Sequence, residues 1–385
     1  MRELDALIKS YKEAVEKDTG CVLATVVHVE GSSYRRAGAR MLVDESGMMT
    51  GAISGGCLEG DALRKALHAL HKKENKLVTY DTSDENDAVI GAQLGCNGII
   101  QVLFEPLDPE DPANPIGLLE KVLCSNEPAA IITLFNLDRS VVQIGTGMLV
   151  DGQENLTGTV KNESLLKQLK LDAAEALGQK ESMFREYVSG MSSVNAFIEV
   201  RKPPVRLVLV GAGNDASILA DMAAKLGWNI TVTDGRRSHA RADRFVSSCQ
   251  VIVSKPEKIL EDVEINDRTA FVLMTHNYNY DMDVLKILAE ETDVPYIGIL
   301  GPQKKYQRML DDLKDEGIIL TEDQQSRIYA PVGLDIGADT PAEIALSVLA
   351  EIQQVLSGAA GNSLREISGP IHKNKKEKFK KVILD

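Results

Sequence analysis

The sequence predicts an α/β protein in two parts: a mixed α/β domain over residues 1–198 and a doubly wound parallel sheet over 205–357. Three observations carry that expectation. From residue 206 onward, strand-like and helix-like segments alternate, the pattern of consecutive βαβ units. The first of those strands runs into a glycine-rich turn that opens a helix. Just before it stands "EVRKPPV" (199–205), where two prolines break the pattern ahead of a strand of different character. At 385 residues the chain is also too long for one ordinary core.

In the first part, an amphipathic helix near 3–17 precedes "CVLATVVHVEG" (21–31), a strand rich in β-branched residues. "ARMLVDESGMMTGAIS" reads as a hairpin turning at Glu45–Gly47. "CLEGDALRKALHALHKK" (57–73) is helical: Leu63, Ala66, Leu67 and Leu70 recur at three- to four-residue spacing. Glu59 and Asp61 suit its positive end, and Lys72 and Lys73 its negative end. Strands follow at "KLVTYD", "GIIQVLFEP", "AAIITLFN" and "VVQIGTGMLVD", and "PLDPEDPANPIG" (106–117) reads as a proline-rich loop. Residues 151–190 are polar and carry little pattern.

In the second part the expected order begins with strand "RLVLVGAG", a helix to Gly227, strand "NITVTD", a helix near 238–246 and strands "QVIVS" and "TAFVLMT". A helix at 281–291, strand "PYIGILG", a helix at 303–316 and a last helix in "AEIALSVLAEIQQVL" complete it. Residues 358–385 read as a trailing segment with a solvated basic tail, "HKNKKEKFKK".

Composition narrows the function. The net charge of −14 repels nucleic acid and anionic membrane surfaces, and the 4% aromatic content leaves no base-stacking platform. No apolar run is long enough to span a membrane, and the first residues resemble a helix rather than a signal peptide. Cys21, Cys57, Cys96, Cys124 and Cys249 are dispersed and odd in number, which fits a reducing cytoplasm and no disulfide scaffold. Homodimerisation is the base expectation for such a chain.

The turn "VGAGNDA" places Gly211, Gly213 and Ala216 in the G-x-G-x-x-G/A pattern of a Rossmann-like dinucleotide site. Asp234 closes the next strand, where a ribose hydroxyl would be held. NAD(P) or another nucleotide is the ligand this implies; Arg236 and Arg237 are candidates for a 2′-phosphate. Asp215, in the first helical turn, competes with such an anion. In "LMTHNYNYDMDVL", His276 and Asp281 fall just past the carboxyl end of a strand, the rim where such sheets bind ligands.

Two motifs concentrate chemistry in the first part. "EGSSYRRAGAR" sets Ser32, Ser33, Arg35, Arg36 and Arg40 among small residues, a donor set for a phosphate or another oxyanion. "GAISGGCLEGD" (51–61) puts Ser54, Gly55 and Gly56 ahead of Cys57 at a helix start. Unpaired N–H groups and the helix dipole there would favour a thiolate, and the glycines leave room for a bulky ligand. Cys96 in "GAQLGCNG" is a second glycine-flanked thiol. "AISGG" also approximates a nucleophile elbow around Ser54, although Ala52 replaces its first glycine. His68 and His71 share a helix face without further ligands, so a metal site is not expected there.

The run "GSSYRRAGARMLV…GAISGGCLEGD", with "VGAG", "MTHNYNYD", "YIGILGP" and "PVGLDIGADTPAEIALSVLAEI", resembles the XdhC/CoxI accessory proteins of molybdenum hydroxylases. The resemblance covers both parts except roughly residues 105–195 and the tail. It implies a maturation factor, or chaperone, for a xanthine dehydrogenase-type enzyme. Such a factor binds molybdenum cofactor (molybdopterin), helps it acquire sulfur from a cysteine desulfurase, and delivers it to the apo-enzyme. On that basis Cys57 would ligate molybdenum or handle sulfur, and Arg35, Arg36 and Arg40 would hold the cofactor phosphate. The sequence departs from the family pattern in two ways: Asn97 follows Cys96 where glycines are usual, and Asn214 or Asp215 stands where a histidine is frequent. The alternative reading is an NAD(P)-dependent oxidoreductase built on Gly211, Gly213, Asp234 and His276.

Overall fold

The computed structural model describes residues 2–31, 33–81, 98–138, 140–291, 293–366 and 379–384. Contacts divide the chain into two compact units, one of residues 3–203 with the chain's C-terminal end, the other of residues 204–366. The first unit contains α1 (Arg2–Glu16), β1 (Cys21–Gly31), β2 (Arg40–Asp44), β3 (Met49–Gly51), α2 (Glu59–Lys72), β4 (Lys76–Asp81) and β5 (Gly98–Pro106). It continues through α3 (Pro115–Cys124), β6 (Ala129–Phe135), β7 (Gly145–Asp151), β8 (Leu156–Gly158), α4 (Glu163–Gln179), β9 (Met183–Ser189) and β10 (Ser192–Arg201). The second unit contains β11 (Arg206–Val210), α5 (Asn214–Lys225), β12 (Asn229–Asp234), β13 (Cys249–Val253), β14 (Thr269–Leu273), α6 (Tyr278–Glu290) and β15 (Tyr296–Ile299). It ends with α7 (Gln303–Asp315), α8 (Glu322–Ser326), β16 (Ile328–Tyr329) and α9 (Pro341–Ser357). A last strand, β17 (Lys380–Ile383), belongs to the first unit.

In the first unit two sheets, β3–β2–β1–β5–β4 and β17–β9–β10–β6–β7–β8, pack face to face. Alternation along β1 shows why. Val22, Ala24 and Val26 pack with α2, while Cys21, Leu23 and Val27 join clusters shared with the second sheet. A strand buried on both faces reads as one apolar run, as this one does. Helix α4 covers the outer face of the second sheet through Leu165, Leu169, Ala173 and Ala176. The result is an α/β/β/α sandwich.

Two helices appear where the sequence shows little pattern. Asn114 accepts the Ile116 N–H and Pro115 occupies the first turn, so the proline-rich stretch ends by starting α3. Asn162 caps α4 by accepting the Leu165 N–H. At the C-terminal end β17 adds to β9 in parallel, and the Phe379 ring packs tilted against His28 and edge-on against Phe184. These contacts hold residues 379–384 on the first unit; residues 372–378 of the expected basic tail lie outside the described residues.

In the second unit the strand order is β13–β12–β11–β14–β15–β16, with every pair parallel. This is the 3-2-1-4-5-6 order of a dinucleotide-binding sheet, with its switch point between β11 and β14. Helices α5 and α9 cover one face, α6 and α7 the other. The expected helix near 238–246 is reduced to one turn of 3₁₀ helix at Ala242–Arg244. Of this stretch only Phe245 is buried, so no apolar stripe exists to hold a helix on the sheet. Among the described residues no helix is long and apolar enough to cross a membrane.

Candidate functional site

The loop between β3 and α2 is organised by Ser54. Its Oγ lies 3.2 Å from the N–H groups of Gly56 and Cys57 and 3.1 Å from that of Leu58, all of which donate to it. The Ser54 hydroxyl in turn donates to Glu59 Oε2, and the Ser54 N–H to Glu59 Oε1 at 2.9 Å. Burial alone would raise the Glu59 carboxyl, but the hydrogen bonds from Ser54 and from the Leu58 and Glu59 N–H groups outweigh it and hold it below its ordinary value. The N–H donors expected to await a thiolate or an anion are therefore already engaged by a side chain. Ser54 itself is buried and committed to this turn, which leaves no exposed nucleophile at that position.

Cys57 is half-buried, and its thiol lies 3.3 Å from Ser54 Oγ, to which it donates. Gly56 has φ +110°, and a Cβ there would meet nothing within 4 Å. The backbone beside the thiol is thus open to a ligand. Gly55 is bare for a different reason: a Cβ would stand 3.2 Å from the ring of Tyr34, which is 71% exposed and lies against the glycine. Thiol, open glycine and exposed aromatic ring form the candidate site of this unit.

The arginine loop contributes less than expected. Arg40 is buried, with Nη2 at 2.5 Å from Glu199 Oε2 and Nη1 at 2.9 Å from Gly38 O. It ties β2 to β10, and releasing it to a phosphate would leave Glu199 buried with only Arg201 as a partner. Arg40, expected among the phosphate donors, thus serves here as a buried structural ion pair. Arg35 pairs with Glu3 of α1 at 2.5 Å, so an incoming anion must compete with that carboxylate. Arg36 is exposed, and Ser33 Oγ is buried with no hydrogen-bond partner among the described residues. Ser32 and Cys96 lie outside the described residues.

The second unit carries a separate cleft at the switch point, about 440 Å³, lined by Gly213, Asn214, Asp215, Ser238, His239, Arg244 and His276. Gly211 (φ +120°) lets β11 turn beneath the end of β14: a Cβ would fall 2.5 Å from Met274 O. Gly213, at the start of α5, has nothing within 4 Å of its Cβ position and faces open space. His276 is exposed and holds φ +56°. Its loop is pinned by fully buried Asp281, which accepts from Thr275 Oγ1 at 2.6 Å and pairs with Lys305 Nζ at 2.6 Å.

Asp234 does not wait for a ribose. It is buried, and its carboxylate accepts from the Ala212 N–H at 2.9 Å and from Arg236 N, Nε and Nη2 at 2.9, 2.9 and 2.8 Å. Burial pushes its carboxyl up, but Arg236 and the two backbone donors prevail and hold it below the ordinary carboxylate range. Asp234 and Arg236, expected at a ribose and its phosphate, here bind each other and hold the glycine turn through the Ala212 N–H. Arg244 carries no signal in the sequence. It donates to Ala212 O at 2.7 Å and Asn214 Oδ1 at 3.0 Å, which brings a guanidinium to the cleft rim.

Models of known families match both units: "XdhC and CoxI family" over residues 14–81 and "XdhC Rossmann domain" over residues 207–352. A protein of Bacillus subtilis (strain 168), named as a probable subunit of xanthine dehydrogenase, is 34% identical over 351 residues, 91% of this chain and 96% of that one. The chain belongs to the XdhC/CoxI family. Also similar is the "Molybdenum cofactor insertion chaperone PaoD" of Escherichia coli (strain K12), 26% identical over 89% of this chain and 86% of that protein. A crystal structure described as a xanthine dehydrogenase from Bacillus halodurans superimposes with a TM-score of 0.70 at 28% identity, covering 92% of this chain and 97% of that one. For this XdhC/CoxI chain, Tyr34 and Arg244 are the site residues that motif spacing misses. Tyr34 sits within the arginine loop, but nothing in spacing places its ring on Gly55; Arg244 is brought to the cleft only by the fold.

Proposed function

We propose that this protein is an accessory factor for a molybdenum hydroxylase of the xanthine dehydrogenase type, which binds molybdenum cofactor as cargo and assists its sulfuration and its insertion into the apo-enzyme. The names of the Bacillus subtilis and PaoD relatives support this reading. The observation that carries it is the Cys57 thiol beside the open backbone of Gly56. Among the described residues no group of three or more His, Cys, Asp or Glu side chains could hold a metal ion. A metal delivered within a cofactor brings its own ligands and needs only one soft protein donor, which a thiolate provides. Cys57 would ligate the molybdenum or carry sulfur received from a cysteine desulfurase. Tyr34 offers a ring to the pterin, and Arg35 and Arg36, on exchanging their present partners, offer cations to its phosphate. With the N–H groups of the Ser54 turn engaged, phosphate recognition would fall to side chains rather than backbone. A homodimer in the cytoplasm is the assembly we expect.

The second unit supports a different ligand role. Its strand order, the open Gly213 and the cleft with Arg244, His239 and His276 suit a phosphate-bearing nucleotide. The NAD(P)-dependent alternative loses the residues that would read the ribose, because Asp234 and Arg236 bind each other.

The deciding experiment incubates purified protein with molybdenum cofactor, desalts it, and measures co-eluting molybdenum for wild type and Cys57→Ala. Retention by wild type and loss in the variant is expected. Folded wild type that retains no molybdenum overturns the proposal. Titration with NADH and NADPH tests the alternative, and saturable binding abolished by Gly213→Val would restore it.

A further inference from the structure

We infer that the far end of α2 carries a docking groove for an acidic, aliphatic segment of a protein partner. Lys65, His68 and Lys72 recur at three- and four-residue spacing, so they share one face of α2. Lys76, at the start of β4, joins them around a groove of about 560 Å³. Opposite stand Val141 and Val142, 46% and 86% exposed. Leu137 and Ile144, in the same β6–β7 connection, are also exposed.

The charge is out of keeping with its surroundings. The chain carries −14, yet three lysines and a histidine converge here, with Glu74 as the carboxylate on the rim. Among the described residues none of the three lysines forms an ion pair, although α2 spends Asp61 on Arg64 one turn earlier. Part of that charge suits the negative end of the helix; Lys65 in its middle and Lys76 beyond it do not serve that role.

The apolar wall is held in place. Buried Gln143 accepts the Asn136 N–H at 2.8 Å and donates to Asn136 O at 3.2 Å, which ties these two residues of the β6–β7 connection together. Asn75 Nδ2 donates to Ile144 O at 2.9 Å and fastens that loop beside β4. Val141 and Val142 thus lie next to residues that are fastened by hydrogen bonds, which lowers the ordering a partner has to impose on them. A small anion would use the lysines and leave the valines idle. An extended chain carrying carboxylates and aliphatic side chains uses both, and charge steers it in.

The groove is distinct from the cysteine site. Cys57 precedes the first turn of α2, and Lys72 ends its fourteen residues, about 20 Å away along the axis. The inference therefore goes beyond the accessory role and stands or falls separately from cofactor binding.

The test selects a displayed dodecapeptide library on the full-length wild-type protein. Selected peptides are then titrated against wild type, Lys65→Glu/Lys72→Glu, Val142→Asp and a control, Lys167→Glu/Lys170→Glu, on the exposed face of α4. Lys72, Val142, Lys167 and Lys170 are exposed and Lys65 is half-buried; circular dichroism verifies folding. Selected sequences should alternate Asp or Glu with Leu, Ile or Val. Affinity should fall at least about tenfold in the double lysine variant and in Val142→Asp, weaken with salt, and stay unchanged in the control. No enrichment, sequences lacking carboxylates, equal loss in the control, or full competition by inorganic pyrophosphate with Val142→Asp indifferent would each overturn the inference. Molybdenum retention by these variants should match wild type, which separates this outcome from that of the cofactor test.

Discussion

The protein contains two glycine turns that look alike in sequence and differ in what their glycines do. In the Cys57 turn, one serine oxygen gathers three backbone N–H groups, and the bare position, Gly56, opens beside a thiol. In the second unit, a buried carboxylate takes the Ala212 N–H, Gly211 is forced by a neighbouring strand, and Gly213 alone opens outward. Each turn satisfies its own donors with a side chain and leaves one glycine facing solvent. A glycine-rich motif thus mixes positions demanded by packing with positions left free for a ligand, and only the contacts separate them.

The largest test of that distinction is Gly211→Ala. The new Cβ would meet Met274 O at 2.5 Å from a backbone with φ +120°. A loss of about 3–5 kcal/mol is expected in urea unfolding of the second unit. A loss below about 1 kcal/mol would show that the two strands part readily and that packing does not dictate this glycine.

Asp234→Ala should cost about 1–3 kcal/mol, because the Ala212 N–H is left without its acceptor and Arg236 without its carboxylate. If the variant instead keeps its stability and gains affinity for NADH, the clamp is dispensable and the ribose site is real. Ser54→Ala should cost about 1–2 kcal/mol by freeing three N–H groups at once. The same variant tests the cargo site, because the freed donors would then face an anion; unchanged stability would mean that water replaces the serine.

Acid should weaken both turns. Glu59 and Asp234 are held below their ordinary values, so each contributes stability that is present above its unfolded pKa of about 4 and lost as pH falls through the lower folded value. Urea midpoints should therefore drop between about pH 5 and pH 3, with a shallower drop in Asp234→Ala. A buried carboxylate between the two sheets works in the opposite sense. Burial raises Glu105 to about 7 against the hydrogen bonds from Thr146, so its penalty grows as pH rises from about 4 through 7. Glu105→Gln should flatten that decline, and an unchanged slope would place the titration elsewhere.

The smallest effect is expected at Gly213→Ala. Nothing lies within 4 Å of the new methyl group, and the backbone there is extended, so stability should change by less than about 1 kcal/mol. A larger change would erase the contrast with Gly211.

Local pattern is enough for the α/β class, the alternation that builds the parallel sheet, the strands β1, β4, β5 and β6, and the helix that follows Cys57. These follow from periodicity and turn chemistry, which neighbouring residues specify. The same pattern brings Cys57, Gly213 and His276 forward, because each sits at a strand or helix end that it marks. Distant contacts settle the rest. Helix α4 is hidden by its polar face, and β17 by a lysine-rich context whose few apolar groups matter only against β9 and His28. Arg40 and Glu199 lie 159 positions apart, so no spacing could show that the arginine is already taken. Asp234 looks like a ribose ligand because its position on the strand is right; its occupation by Ala212 and Arg236 depends on side-chain direction after folding. Residue type and local spacing fix what a group can do. Which group is left free to do it depends on partners that only the folded chain brings within hydrogen-bond reach.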